Sequence, residues 1–195
     1  MNGMPVIYFV RHGETDWNLE ARLQGQKDIP LNDLGRVQAE EAGRRLAALV
    51  PHPEDLDYVA SPLARTRETM ERLRDAIGLD PGSYRLDPRL VELTFGEWEG
   101  LTWKELRRKE PQAAAARLRD KWGYVPPGGE SYAMLAERVR PVLSDLTRDT
   151  VMVSHGGVAR ALLTLQCGVA GTVAASMDIW QGRILVIEDS RHRWE

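Results

Sequence analysis

Three short, wholly apolar runs set the strongest limit on how this chain can fold. Val6–Val10, Tyr58–Ala60 and Val151–Val153 are continuous stretches of residues that favour β-structure. Such stretches are typical of strands that are buried on both faces. Segments with helical spacing separate them along the chain. This alternation predicts an α/β fold, a three-layer sandwich in which helices cover both faces of a mostly parallel sheet.

Polar capping residues predict where the intervening helices begin. Asn32 or Asp33 precedes helical spacing that continues to Val50, and both residue types are good N-caps. Ser61-Pro62 joins a capping residue to a first-turn proline, which predicts a helix from that point to about Ile77. Ser131 is placed to cap a later helix.

Residues 81–130 interrupt the regular alternation. They contain a short extended piece near Tyr84, a capping box made by Thr102 and Glu105, and an alanine-rich helix. We interpret this segment as a smaller helical and loop insertion, lid-like, within a single domain that spans residues 1–195. Three tryptophans lie in it and form either a local core or the wall of a lid over a pocket: Trp98, Trp103 and Trp122.

Charge and cysteine content exclude several classes of function. The 26 cationic and 29 acidic side chains leave a net charge of −3, which argues against a nucleic-acid partner held by a general basic field. The single cysteine allows no intrachain disulfide. No apolar run approaches the roughly 20 residues of a membrane helix, and Met1–Pro5 lacks the features of a secretory signal. We therefore expect a cytoplasmic protein without a membrane partner.

The residues that follow the buried strands could carry chemistry. Arg11 and His12 follow the first strand, Arg65 lies just after the second, and His155 with Gly156 follows the late strand. In open α/β sheets, ligands bind beyond the carboxyl ends of the strands. These five residues are therefore predicted to share one rim.

A phosphate pocket explains this group better than a metal site. Guanidinium groups beside the imidazoles would disfavour a dication, even with Glu92 as a further ligand. Arginine forks instead suit phosphate oxygens, and helix starts near Arg65 and Gly156 would add N–H donors. We predict no metal and no cofactor.

A histidine in a phosphate pocket suggests covalent phosphoryl transfer. Neutral imidazole can attack phosphorus and form a phosphohistidine, and His12 is the candidate because Gly13 lets the backbone fold tightly against it. A hydrogen bond from one ring nitrogen to a nearby carbonyl would leave the other nitrogen free to attack. Glu92 is the candidate general acid and, after proton transfer, the base that activates water.

The motifs resemble those of the histidine phosphatase superfamily, the phosphoglycerate mutase-like proteins. The resemblance covers nearly the whole chain and rests on several motifs in the family order. They are Arg11-His12-Gly13-Glu14-Thr15-Asp16-Trp17-Asn18, Leu23-Gln24-Gly25, Pro30-Leu31-Asn32-Asp33-Leu34-Gly35, Ser61-Pro62-Leu63-Ala64-Arg65-Thr66, Glu92, Phe95-Gly96-Glu97-Trp98-Glu99-Gly100, Pro127-Gly128-Gly129-Glu130-Ser131 and Ser154-His155-Gly156-Gly157. Asn32 stands where the family commonly has threonine, and both are good caps.

The resemblance implies a role for each candidate residue. By it, His12 is the phosphorylated nucleophile and Glu92 the proton donor, and the phosphate pocket is completed by Arg11, Arg65 and His155. Three positions match groups that hold phosphate oxygens, namely Asn18, Gln24 and the N–H of Gly156; otherwise the two amide side chains cap loop backbone. We expect Glu14 and Glu130 to support loop structure and Arg160 to pair at the surface.

Three functions remain to be weighed. A phosphatase acting on a small phosphorylated metabolite is favoured, because the run Phe95–Gly100 resembles the phosphatase branch and the basic, proline-rich segment of the mutases is not evident. A cofactor-dependent phosphoglycerate mutase is the alternative. A non-catalytic module that binds a phosphorylated ligand is the third, although both His12 and Glu92 are present. A homo-oligomer is compatible with the sequence, which carries no signal for one.

Overall fold

The computed structural model describes residues 4–195. The predicted lack of a secretory signal concerns Met1–Pro5, of which Met1–Gly3 lie outside the described residues. Within the described range, six strands form one sheet in the order β3-β2-β4-β1-β5-β6. The strands are β1 (Ile7–Arg11), β2 (Asp57–Ala60), β3 (Arg85–Leu86), β4 (Thr150–Ser154), β5 (Ile184–Glu188) and β6 (Arg191–Trp194).

Most of the sheet is parallel, as predicted. β4 pairs in parallel with both β1 and β2, and β2 pairs in parallel with β3. At the other end of the sheet, β5 pairs antiparallel with both β1 and β6. The three predicted strands are the central ones, which agrees with their continuous apolar sequence, because both faces of the central strands are covered.

Helices cover both faces of the sheet. They are α1 (Asp16–Leu19), α2 (Asp33–Leu49), α3 (Ala64–Asp75), α4 (Trp103–Lys109), α5 (Pro111–Arg119), α6 (Tyr132–Ser144), α7 (Gly156–Cys167) and α8 (Gly171–Ala174). One core packs Val10 and Val153 of the sheet against α2 and α3. The other packs Phe9 and Met152 against α6 and α7. The predicted three-layer α/β class is confirmed.

Most of the predicted caps are present, and one is wrong. The side chain of Asn32 accepts a hydrogen bond from Gly35 N, and that of Ser131 accepts from Met134 N. Ser61-Pro62, however, does not open a helix: α3 begins at Ala64, and its N-cap, Leu63, makes no side-chain bond. The hydroxyl of Ser61 instead lies 2.8 Å from Nε2 of His155. The serine therefore contacts a candidate site residue and does not cap α3.

Segment 81–130 adds β3, α4 and α5 to this framework. The predicted capping box of Thr102 and Glu105 opens α4. Trp98 is fully buried with Leu23, Leu106 and Ala114 in a small separate core, and its ring stacks on Tyr124 at 5.6 Å. Trp98 is therefore a core residue, whereas Trp103 lines a large cavity that also contains Arg11 and His12.

Across residues 4–195, no helix is long and apolar enough to cross a membrane.

Candidate active site

The carboxyl ends of β1, β2 and β4 bring the predicted residues to one rim. Arg11 pairs with Ser154 across the sheet. Two backbone bonds extend the ladder beyond the strands, from His12 N to Ser154 O at 2.9 Å and from Ser61 N to Val153 O at 3.0 Å. His12 and His155 consequently meet edge to face, with ring centroids 5.3 Å apart.

The surroundings of His12 hold its ring in one orientation and in the neutral state. Nδ1 lies 2.7 Å from the carbonyl oxygen of Gly13. Because a carbonyl only accepts, Nδ1 carries the proton and Nε2 keeps its lone pair. Burial, followed by the charges of Arg65 and Arg11, lowers the pKa of His12 well below its usual value. The neutral imidazole that a nucleophile requires is therefore favoured.

Position 13 must be glycine for its carbonyl to reach His12 Nδ1 in this packing, because the surrounding backbone leaves no room for a side chain. A Cβ at Gly13 would overlap the backbone of Gly35 in the first turn of α2, and the Gly13 N–H donates to the Thr69 hydroxyl at 3.0 Å. The close packing at Gly13 is therefore against the backbone of Gly35, which is equally crowded.

Backbone carbonyls hold the guanidinium groups of Arg11 and Arg65, and each group has N–H donors that make no hydrogen bond to the protein. Arg65 donates from Nη1 to Lys27 O and from Nη2 to Gly25 O, at 2.7 and 2.8 Å. Arg11 donates from Nη1 to Ile179 O at 2.8 Å. The Nε atoms of both arginines are buried without a partner. Burial lowers the pKa of Arg65 to about 10, so its charge persists at neutral pH, ready for an anion.

His155 lies deeper than His12. It is fully buried, its Nε2 is 2.8 Å from the Ser61 hydroxyl, and its Nδ1 has no partner. Burial, and then the charges of Arg65 and Arg11, lower its pKa well below the usual value.

Glu92 enters the site from the segment that follows a 3₁₀ turn at Pro88–Leu90. Its Oε2 accepts from Gly157 N at 3.0 Å, and its Oε1 accepts from Leu93 N at 2.9 Å. Arg138 of α6 fixes the segment by donating to the carbonyls of Arg89 and Val91 at 2.6 and 3.0 Å. Glu130 forms an ion pair with Arg138 at 2.7 Å, which gives this loop glutamate a supporting place behind Glu92.

The remaining candidates also line the cavity: Asn18, Gln24 and Gly156. Asn18 partly fits the alternative prediction, that its side chain caps loop backbone. Its Oδ1 accepts from the Thr15 backbone N–H as part of a capping box. Gln24 is buried, and its Oε1 has no hydrogen-bond partner. Gly156 is the first residue of α7, where N–H groups are free of helical partners.

The cavity extends well beyond His12, Arg11 and Arg65. Its volume is about 730 Å³, and Glu92 is the single carboxylate among its lining residues, which lie within the described part of the chain. Further cationic side chains in the wall are Arg22, Arg107, Arg117, Lys121 and Arg160. Arg160 was expected to pair at the surface, and this is wrong: its Nε and Nη2 donate to Met177 O, at 3.1 and 2.8 Å.

The basic residues of α4 and α5 were not predicted as part of the site. In the sequence Arg107 belongs to the charged run Arg107-Arg108-Lys109 and Arg117 follows four alanines, and neither pattern shows which way the side chain points. No cluster of three or more histidine, cysteine, aspartate or glutamate side chains suited to a metal ion occurs between residues 4 and 195.

Fold and site together define an α/β protein in which a histidine and two arginines line one cavity at the carboxyl ends of its strands. The chain belongs to the histidine phosphatase superfamily (branch 1), whose sequence model matches residues 7–195. The predicted family is thus confirmed.

The relatives similar to this chain include proteins named as phosphatases and proteins named as probable phosphoglycerate mutases. Glucosyl-3-phosphoglycerate phosphatase of Mycobacterium tuberculosis (strain ATCC 25618 / H37Rv) is 36% identical over 169 residues, covering 80% of this chain and 72% of the relative. The probable phosphoglycerate mutase GpmB of Erwinia tasmaniensis is 32% identical over 194 residues, covering 96% and 86%.

Solved structures are similar over the same range. Mycobacterial glucosyl-3-phosphoglycerate phosphatase in complex with VO3 has a TM-score of 0.82 and 31% identity, covering 98% of this chain and 96% of that one. TTHB049 from Thermus thermophilus has a TM-score of 0.71 and 37% identity, covering 94% and 92%.

Proposed function

We propose that this protein is a metal-independent phosphatase that hydrolyses a small phosphomonoester through a phosphohistidine on His12. The observation that carries the proposal is the Nδ1 hydrogen bond of His12 to the Gly13 carbonyl, which leaves Nε2 unprotonated beside two arginines. The family supports the phosphatase, since members similar to this chain carry that name.

The first chemical step transfers the phosphoryl group to the protein. Arg11 and Arg65 bind the phosphate oxygens, assisted by Asn18, Gln24 and the N–H of Gly156, while His155 steadies the charge that develops on them. Nε2 of His12 attacks phosphorus in line, and the bond to the ester oxygen breaks. Protonated Glu92 gives its proton to the departing alkoxide, which leaves as the alcohol.

The second step restores the enzyme. Glu92, now a carboxylate, accepts a proton from water as that water attacks phosphorus, and the P–N bond to His12 breaks. Inorganic phosphate leaves, with Glu92 protonated and His12 neutral again. Positive charge at the phosphoryl group comes from the two guanidinium groups, so the mechanism includes no metal ion.

The segment 81–130 is proposed to determine which phosphomonoester is accepted, as part of the same domain. It contributes Glu92, Trp103 and Arg117 to the cavity wall. We assign no nucleic acid as a partner, and the cavity is of a size that suits a small phosphorylated metabolite.

An aryl phosphate assay tests the chemistry. The protein should release phosphate equally well with and without a chelator, and His12→Ala should abolish release. An acid-labile, base-stable phosphoryl group should be trapped on the parent and not on His12→Ala. Full activity of His12→Ala contradicts the mechanism, and phosphate binding without turnover by the parent would favour the non-catalytic module.

A second assay distinguishes phosphatase activity, in which water takes the phosphoryl group from His12, from mutase activity, in which the group is transferred back to the bound intermediate. The name of the Erwinia tasmaniensis relative favours a mutase as the second candidate. With 3-phosphoglycerate and the bisphosphate primer, phosphate release should exceed isomerisation. Isomerisation that outpaces release would replace the phosphatase by the mutase.

A further inference from the structure

The loop that precedes β5 contacts the candidate active site through alternate residues. The carbonyl oxygen of Met177 accepts from Arg160 at 2.8 Å. The carbonyl oxygen of Ile179 accepts from Arg11 Nη1, also at 2.8 Å. Gln181, two residues further on, forms an isolated β-bridge with Arg11 at the end of β1. The two residues between these three are exposed. Gln181 differs from the other two because its side chain also reaches the site.

The side-chain nitrogen of Gln181 lies between two groups of the site. Its Nε2 is 3.1 Å from the backbone carbonyl oxygen of His12 and 3.2 Å from Oδ1 of Asn18. Gln181 therefore joins the residue proposed as nucleophile to one of the residues proposed to hold phosphate oxygens. The sequence did not single it out, because 163 positions separate it from Asn18.

The surrounding groups determine which way both amides face. The backbone N–H of Thr15 can only donate, and it lies 3.1 Å from the side chain of Asn18, so the Asn18 atom at that point is the oxygen. That oxygen and the His12 carbonyl can only accept, so the Gln181 atom between them is the nitrogen. Neither amide can turn over without placing two donors or two acceptors face to face.

The donors around Asn18 Oδ1 leave it no capacity for a ligand. Besides the Thr15 backbone N–H and Gln181 Nε2, the Thr15 hydroxyl donates to it at 3.2 Å while accepting from Asn18 N. Among the hydrogen bonds within residues 4–195, none uses Asn18 Nδ2, and Asn18 lines the cavity. Its two Nδ2 N–H groups are the part available to a ligand, and such donors suit an oxyanion.

The second contact of Gln181 restrains the main chain of His12. The His12 N–H donates to Ser154 O at 2.9 Å, and the His12 carbonyl accepts from Gln181 on the other side of the residue. With Nδ1 held by the Gly13 carbonyl, Nε2 is the polar atom of His12 that remains for the substrate. Loss of the Gln181 contact would loosen the backbone that carries this atom.

We propose that Gln181 is a positioning residue for phosphoryl transfer. Its side-chain N–H₂ group holds Asn18 Oδ1, so that Asn18 Nδ2 faces the phosphoryl group, and it restrains His12 through the backbone carbonyl. This inference rests on the proposed function, because it takes Asn18 Nδ2 to bind the phosphoryl oxygens. It also reconciles the two expectations for Asn18, since the side-chain oxygen caps α1 while the side-chain nitrogen binds the ligand.

A double-mutant cycle with inorganic phosphate tests the Asn18 contact without turnover. Gln181→Met keeps the length of the side chain and removes the donor. We expect calorimetry to show a phosphate Kd raised about threefold to tenfold, the range of one net hydrogen bond. In the Asn18→Ala background the same substitution should leave Kd unchanged. Gln166→Met, in the last turn of α7 and beside a separate cavity, should keep the parent's Kd.

The side-chain resonances of Asn18 and the turnover number provide two further measurements. Phosphate should shift the Asn18 Nδ2 signal in the parent and shift it less in Gln181→Met. The turnover number for an aryl phosphate should fall severalfold in Gln181→Met, with or without Asn18, because the His12 carbonyl loses its donor in both backgrounds. Gln181→Asn, which keeps the amide on a side chain one methylene shorter, should lose phosphate affinity in the same Asn18-dependent way and serves if Gln181→Met does not fold.

Several results would overturn the positioning role. An unchanged Kd in Gln181→Met would do so, as would an equal loss with and without Asn18, which is what a general packing role produces. A parent that binds no phosphate, or an Asn18 signal that phosphate does not move, would also contradict it, and an unchanged turnover number would overturn the role at His12. An Asn18-dependent loss of phosphate affinity in a protein that does not hydrolyse aryl phosphate would contradict the proposed function and retain the role of Gln181 towards Asn18.

Discussion

Gly157 is packed directly against the carboxylate of Glu92. Its N–H donates to Glu92 Oε2 at 3.0 Å, and a Cβ on Gly157 would overlap Glu92 Oε1 and the side chain of Leu93. The first turn of α7 therefore sets the position of the candidate general acid. A glycine with an ordinary helical backbone is needed here for space rather than for conformational freedom.

Gly157→Ala should displace Glu92 and slow the reaction without unfolding the protein. Because general acid–base catalysis contributes roughly 10²–10⁴-fold, we expect kcat for an alkyl phosphate to fall by about 10²-fold. Gly82→Ala is the matched control, since a Cβ there meets only the carboxylate of Asp80, at 3.7 Å. Parent-like kcat in Gly157→Ala would show that the position of Glu92 does not matter.

Glu92→Gln should separate the two chemical steps. Loss of the acid slows departure of an alkoxide by roughly 10²–10⁴-fold, whereas nitrophenolate leaves readily without a proton. With nitrophenyl phosphate the variant should therefore form the phosphohistidine and hydrolyse it slowly, because no base activates water. Quenched-flow trapping measures the phosphoryl group on the protein. A variant that loses equal activity on alkyl and nitrophenyl esters, with no accumulation, would contradict the dual role.

The candidate site was largely predictable because it depends on strand ends. Arg11, His12 and His155 follow apolar runs that could only be central strands, and parallel strands deliver such residues to one edge. Ser61 was misassigned because a Ser-Pro pair looks the same whether its hydroxyl caps a helix or contacts a histidine 94 positions away.

The outer cavity was not predictable for a different reason. Arg117 and Arg160 lie on helices, and which way a helical side chain points depends on packing against other elements. The alanine-rich α5 gives a weak apolar stripe, so its sequence does not say that Arg117 lies beneath Trp103 and Tyr132. Those contacts join three separate segments of the chain.

Arg138→Met should destabilise the fold and loosen the Glu92 segment. The substitution leaves the Glu130 carboxylate, which is 13% exposed, without its partner. Breaking a buried pair costs about 3–5 kcal/mol, and since the Arg138 side chain is 24% exposed we expect roughly 2 kcal/mol. Urea unfolding measures this loss, and the double variant with Glu130→Gln should recover part of it. Additive losses in the double variant would show that the two side chains act independently.

The two buried histidines should make stability depend on pH in weakly acidic solution. Burial and the neighbouring arginines lower the pKa of His12 and His155 in the folded state well below the usual value of 6.5. Below pH 6.5 the unfolded chain therefore binds protons that the folded chain does not, and the free energy of unfolding falls as pH falls. Each histidine should contribute a slope of up to about 1.4 kcal/mol per pH unit, and the loss should be absent above pH 7.

Urea unfolding between pH 5 and 7.5 measures the slope, with His155→Gln as the comparison because it removes one histidine and leaves His12 in place. The variant's curve should be shallower than the parent's by about one histidine's share, whereas parallel curves would mean that His155 is protonated equally in the folded and unfolded states.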